Sequence, residues 1–228
     1  MIINSKALTI ESGTVEALKW LALVLMTLDH VNKYVYADHP NLAFALGRIS
    51  MPLFAFVFAY NMARPSALLS GAFQRAMKNL TLYGVLATPF FIMGGGLLFG
   101  WWPLNIMFML LAAAVVIYLL ETGGRWRWFA AFLVFLLGGA FVEFWHIALL
   151  FTVASYYYCK SFSYYALGLM VLSLTSLYFI NRNFWALAAI PIILAAPYVR
   201  VQWPRVKHLF YVYYPLQLAI LVLFFKRV

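Results

Sequence analysis

Residues 17–36 read ALKWLALVLMTLDHVNKYVY and residues 42–62 read LAFALGRISMPLFAFVFAYNM. Each run has about the 20 residues that a helix needs to cross the hydrocarbon core of a bilayer. Further apolar stretches follow at 73–93, 104–120, 128–142, 144–159, 162–180, 184–199 and 208–225. The pattern predicts an all-α chain, a polytopic transmembrane bundle of about nine helices (8–10) by that length rule. Composition points the same way. Of 228 residues, 66% are apolar and 10% charged, with a mean hydropathy of +0.91. A soluble globule needs roughly 25–35% charged residues to cover its surface, so a soluble enzyme is excluded. Intrinsic disorder, which requires low hydrophobicity, is excluded too.

The run 128–142 is short for a span and predicts a half-span or a tight turn at Glu143. Turn signals separate the runs at His39-Pro40, Arg64-Pro65, Gly94-Gly95-Gly96, Gly123-Gly124 and Trp203-Pro204. Without a linker or a clear repeat, residues 1–228 read as one domain, with 1–16 a short cytoplasmic arm. The N-terminus lacks the basic start and small-residue cleavage site of a removable signal, which predicts that the first run is retained. The only cysteine, Cys159, excludes a disulfide framework and a thiolate metal cluster.

The 16 Lys and Arg against 6 Asp and Glu give a formal charge of +10. In a chain of spans this reads as the positive-inside rule and not as nucleic-acid binding. With the N-terminus cytoplasmic, eleven cations fall on the inner side: Lys6, Lys19, Arg64, Arg75, Lys78, Arg125, Arg127, Lys160, Arg200, Arg205 and Lys207. Lys33, Arg182, Lys226 and Arg227 fall outside, and Arg48 lies within a span. Nine spans then put the C-terminus outside. Trp101, Trp102, Trp126, Trp128 and Trp203 read as interfacial belts near span ends, as does the cluster Tyr156–Tyr158.

Ionisable groups at membrane depth are costly unless paired or hydrated, and they mark functional sites. Asp29 and His30 lie in the first run and Arg48 in the second. Lys19 and His30, eleven residues apart, differ by only ~20° around a helix and by ~16 Å along it. They share a face, Lys19 at the cytoplasmic end and His30 towards the outside. Arg48 returns to about the level of His30. It needs Asp29, a carbonyl or a ligand anion as a partner. Pro52 predicts a kink that frees a carbonyl. Histidine is the natural general base near neutral pH, and a cation such as Arg48 suits an oxyanion. Neighbours on a helix diverge by ~100°, so Asp29 either orients the ring or serves another partner. The sequence contains no Gly-rich phosphate loop, HExxH or GxSxG, and histidines 30, 39, 146 and 208 lack metal-ligand spacing.

The stretch Leu18–Arg64, with ALVLMTLDHVN, GRISMPLFAFVFAYNMAR and a short outer loop between them, resembles the TraX-type pilin acetylase family. The resemblance extends to the wider superfamily of membrane acyltransferases that includes the acyltransferase-3 O-acetylases. Lys19-x10-His30 is similar to the basic-x10-His signature of those enzymes, whose histidine is taken as catalytic. Asn105-Ile106-Met107-Phe108 and the segment from Phe210 to Leu218 match less specifically, and Gln217 stands where relatives commonly carry a histidine.

The resemblance implies transfer of an acetyl group from cytoplasmic acetyl-CoA to the N-terminal amine of a pilin subunit of a conjugation system, at the bacterial inner membrane. It implies His30 as general base or acetyl carrier, with Asp29 and Arg48 beside it. The candidates for holding the CoA phosphates are Lys19, Arg64, Arg75 and Lys78, of which Arg75 and Lys78 share a helical face at i, i+3. Asn32, Asn105, Glu143 and His146 are the candidates on the acceptor side. Glu143 and His146, one turn apart, also read as a pair closing a helix junction. Two other readings stay open: O-acetylation of an envelope glycan with the same donor and base, and a proton-coupled transporter using Asp29, His30 and Arg48 as a relay. Inverted repeats and paired broken helices, common in transporters, are not evident.

Overall fold

A computed structural model describes residues 7–36, 41–95, 97–206 and 209–225. His39, Pro40, Gly96, His208 and the cations Lys6, Lys207, Lys226 and Arg227 lie outside the described residues. The described chain is helical. Helix α1 spans Ser12–Val35; α2 and α3 span Leu42–Gly47 and Ser50–Met62; α4 spans Ala72–Gly94 and α5 Ile106–Thr122. Helix α6 (Arg125–Leu133) continues through a π turn, Val134–Gly138, into α7 (Gly139–Phe141). Then come α8 (Trp145–Ser161), α9 (Tyr164–Ser176), α10 (Tyr178–Asn181) and α11 (Ala189–Ala195), the last entered by a 3-10 turn at Trp185–Ala188. The last helix, α12 (Leu209–Ile220), runs into a π turn at Leu221–Phe225. Two of these segments, Leu42–Met62 and Tyr164–Asn181, are long and apolar enough to cross a membrane by length and composition.

Helix α3 is the hub. It is apolar on all sides, and all but two of its residues are buried, because neighbours cover every face. One core gathers α1, α3, α8, α9 and α11 around Phe56, Leu53, Phe151, Met170 and Leu174. A second gathers α4, α5 and α12 around Phe73, Leu80, Ile117 and Leu218. At the end of the molecule that holds the N-terminal residues, Tyr60 bonds both the N–H and the carbonyl of Ile10 at 2.9 Å. Thr14 donates to the Val199 carbonyl at 2.7 Å. Gly13 lies so close to Val201 that a Cβ there would stand 1.9 Å from the carbonyl oxygen.

Several boundaries depart from the sequence reading for local reasons. Helix α1 starts at Ser12, so the last residues of the expected arm are helical. The short run 128–142 is helical through α6, the π turn and α7 from Arg125 to Phe141, and the chain turns around Glu143 into α8. The second run is interrupted at Arg48–Ile49, ahead of Pro52. Pro52 sits in the first turn of α3, where a missing N–H is tolerated. It leaves the Arg48 carbonyl without the donor a helix would supply four residues on. Tyr156 and Tyr158 belong to the two cores and form no interfacial belt. Three consecutive helical residues fan over ~200° and cannot all face outward. Trp101, Trp126, Trp128 and Trp203 are exposed as expected, while Trp102 is partly buried and stacks on Trp145.

Candidate active site between the first and last helices

Asp29 and His30 are neighbours in sequence but serve different faces, as the ~100° step between helical residues requires. Asp29 turns to α2. Gly47 packs against it so tightly that a Cβ would stand 2.4 Å from the Asp29 Cβ. Asp29 accepts a hydrogen bond from Arg48 Nη2 in an ion pair whose two side chains are only 16% and 19% exposed. The guanidinium also stacks over the Phe44 ring at 4.4 Å and donates from Nε to the Phe44 carbonyl at 3.4 Å. Arg48 is thus fixed in orientation by a carboxylate, a ring and a carbonyl, all from α1 and α2.

His30 turns to α12. Its ring lies 6.0 Å from that of Tyr214 and 5.9 Å from that of Tyr34, centroid to centroid. The Gln217 side chain stands against it. The His30 Nδ1 is buried and has no hydrogen-bond partner among the described residues. The face shared by Lys19 and His30 therefore lines a seam with α12 along its length. Lys19 sits over Phe210 at 5.4 Å, Trp20 meets the same ring at 5.7 Å, and Thr27 Oγ1 lies 2.8 Å from the Tyr213 hydroxyl.

Glu143 enters the His30 end of this seam from the junction of α7 and α8. Its N–H donates to the Leu104 carbonyl at 2.9 Å, and its carboxylate accepts from the Ile106 N–H at the start of α5. Lys33, Asp29 and Arg48 are within electrostatic reach of that carboxylate. Burial pushes it up to about 7, against the pull of Lys33. Two acids, a fixed guanidinium, an imidazole and the Lys33 ammonium thus converge on one end of the bundle.

The profile of the TraX protein family matches residues 14–225, which contain all of these groups. The chain belongs to the TraX family. It is 35% identical over 127 residues to Protein TraX of Escherichia coli K12, a match covering 56% of this chain and 48% of that protein. A protein of Rickettsia prowazekii is 31% identical over 71 residues, which is 31% of this chain and 24% of the relative. The matched region spans about half the length of the curated TraX proteins or less. No solved structure matches the chain.

The remaining candidates of this TraX-family chain are distributed as follows. Lys19 is spent on Glu16, at 2.6 Å, with Glu16 only 3% exposed and Lys19 18%. Arg64, stacked on Tyr60 at 5.5 Å, and Arg75 and Lys78 are exposed around the α3–α4 junction. Arg75 donates to the Ser70 carbonyl of that same segment at 2.6 Å. Asn105 is fully buried: it caps α5 through Met107 N and donates to the Gly84 carbonyl and the Thr88 hydroxyl. Asn32 is buried too and accepts from Asn41 at 2.6 Å, tying α1 to the start of α2. His146 does not pair with Glu143. It lies against Gly139 and bonds the Leu136 carbonyl at 2.8 Å, within the π turn, where the helical ladder is rearranged. The sequence places Lys33 only among the outer cations, gives Tyr34 no role, and offers Tyr214 only as part of the segment from Phe210 to Leu218. For Lys33 and Tyr34 the available signal was their i+3 and i+4 phase with His30 on α1.

Proposed function

We propose that this protein is a membrane-embedded acetyltransferase, a relative of the acyltransferase-3 enzymes. It takes acetyl from cytoplasmic acetyl-CoA and delivers it to an acceptor on the outer side, the N-terminal amine of a pilin subunit. The observation that carries this reading is the seam itself. His30 and Lys19 lie on one face of α1, both against α12, and the Asp29–Arg48 pair and Glu143 gather at the His30 end. A multi-pass location in the inner membrane fits the surface. Phe129 and Phe132 of α6, Leu172 of α9 and Val85 of α4 are each more than half exposed. An aqueous surface rarely carries contiguous apolar patches beyond a few hundred Å², whereas lipid favours them.

In this reading the phosphates of the donor meet the cations of the inner face, Arg64, Arg75 and Lys78, with Lys19 at the mouth of the seam. Salt screens such contacts over about 10 Å at 0.1 M. The thioester reaches His30. The acceptor arrives from the Glu143 side, where two carboxylates suit an ammonium group before it loses its proton. His30 takes the proton from the attacking nitrogen, or first accepts the acetyl group itself. Arg48, held rigid by Asp29 and Phe44, stabilises negative charge on the carbonyl oxygen without reorganising. Asn32, Asn105 and His146 act on acceptor binding only through the helix ends they fix.

The test is incubation of the detergent-purified protein with acetyl-labelled CoA and purified pilin, or with an envelope glycan. Label on the pilin N-terminus supports the proposal. Label on the glycan alone transfers the reading to O-acetylation. Absence of label on either acceptor, in protein shown to be folded, overturns the acyltransferase assignment.

A further inference from the structure

Gln217 is 6% exposed, in the middle of α12, and its amide has no hydrogen-bond partner among the described residues other than the His30 ring beside it. A buried amide without a full set of partners is costly to keep and demands an explanation. The amide faces His30, whose Nδ1 has no other partner among the described residues. The Tyr214 ring stands tilted, 6.0 Å from the imidazole, and Leu218 and Leu221 of the same segment belong to the second core. The amide and the imidazole thus meet on the seam with only each other as polar company, and the amide Nε2–H is left as a buried donor for a ligand.

We propose that Gln217 is a catalytic residue that binds the acyl donor's reacting end, its Nε2–H donating to the thioester carbonyl oxygen. This inference rests on the acetyltransferase reading. The chemistry of the donor matches the amide: a thioester carbonyl is an acceptor, and the amide N–H two methylenes beyond the sulfur is a donor for Oε1. When the acceptor nitrogen attacks the thioester carbon, the carbonyl π pair moves onto oxygen, and Gln217 Nε2–H holds that charge in the field of Arg48. His30 takes the proton from nitrogen. The oxygen pair then re-forms the carbonyl, the C–S bond breaks, and the CoA thiolate leaves and recovers the proton from His30. Acetyl-amine and CoA thiol are the products, with no oxidant or further reactant needed.

The test compares binding of acetyl-CoA with that of S-ethyl-CoA, which has the same length but no carbonyl, in the full-length protein in detergent. Wild type should prefer acetyl-CoA by about tenfold, the worth of one hydrogen bond. In Gln217→Met, which keeps the volume and loses both polar atoms, the two should bind equally. Gln217→Glu loses the donor and keeps an acceptor; it should lose the preference as well, which covers the case of one variant failing to fold. Turnover of both variants should fall about 10²-fold. Persistence of the preference in a folded variant overturns the role of Gln217 and leaves the donor reading standing. Equal binding of both compounds by wild type does the same. Binding of neither by wild type overturns both.

Discussion

The Arg48 guanidinium is held by one carboxylate, one ring and one carbonyl, and this fixity separates two roles it can play. If it stabilises charge in the transition state, Arg48→Lys keeps the cation and loses the fork. Turnover should then drop about 10²–10³-fold, with little change in melting temperature. Asp29→Asn should lower melting temperature, since removing one partner of a buried pair leaves the other charge uncompensated. Equal losses of stability in both variants, with turnover per folded molecule intact, would make the pair purely structural. Glu143 supplies a pH test. Burial pushes its carboxyl up to about 7 from the ordinary carboxylate range, so between the two the unfolded chain loses a proton that the folded chain keeps. Stability should therefore fall as pH rises through that window. Glu143→Gln should flatten the fall and raise stability above pH 7, read as melting temperature across the pH series. An unchanged profile would contradict the burial of this carboxyl. At this scale the sequence was informative about residue types but not about partners. Depth singled out Asp29, His30 and Arg48, and the sequence also named Glu143 and Gln217, but their place beside His30 depends on the crossing of α12 and on the α7–α8 junction, which are non-local.

At the scale of elements, apolar run length located the helices, because burial in a bundle or in lipid needs no polar stripe to announce it. Interruptions were less legible. The break at Arg48–Ile49 lies just ahead of Pro52, which announces it, whereas the π turn at 134–138, where His146 meets the Leu136 carbonyl, has no such signal. Phase along α1 was the most legible feature, and the ~20° offset between Lys19 and His30 became the α1–α12 seam. The approach of α2 to α1 depends on Gly47. Gly47→Ala would set a Cβ 2.4 Å from that of Asp29, and neither atom is at the end of a flexible side chain. The helices must separate, at a cost of about 1–3 kcal/mol, and Arg48 should be displaced with them. Thermal melting and turnover should both fall. A variant with unaltered melting would mean that α1 and α2 are not held this closely.

For the whole molecule, we propose from the charge asymmetry and the apolar exterior a membrane bundle with its N-terminus inside. Cys159 is free and buried, so single cysteines can be introduced on a quiet background. Ser66→Cys, between α3 and α4, should react with a membrane-impermeant maleimide only from the cytoplasmic side. Asn183→Cys, after α10, should react only from the outside. Labelling of both from one side would reverse the topology and with it the direction of donor entry. Most of the account, though, rests on His30. Intact-mass analysis of pilin after incubation with acetyl-CoA and either wild type, His30→Ala or Lys19→Ala addresses it directly. Wild type should add one acetyl group to the pilin N-terminus. Lys19→Ala should do so slowly, recovering at high acetyl-CoA, and His30→Ala should leave pilin unmodified while still binding CoA. Full acetylation of pilin by His30→Ala would contradict the account and leave His30 a packing residue between α1 and α12.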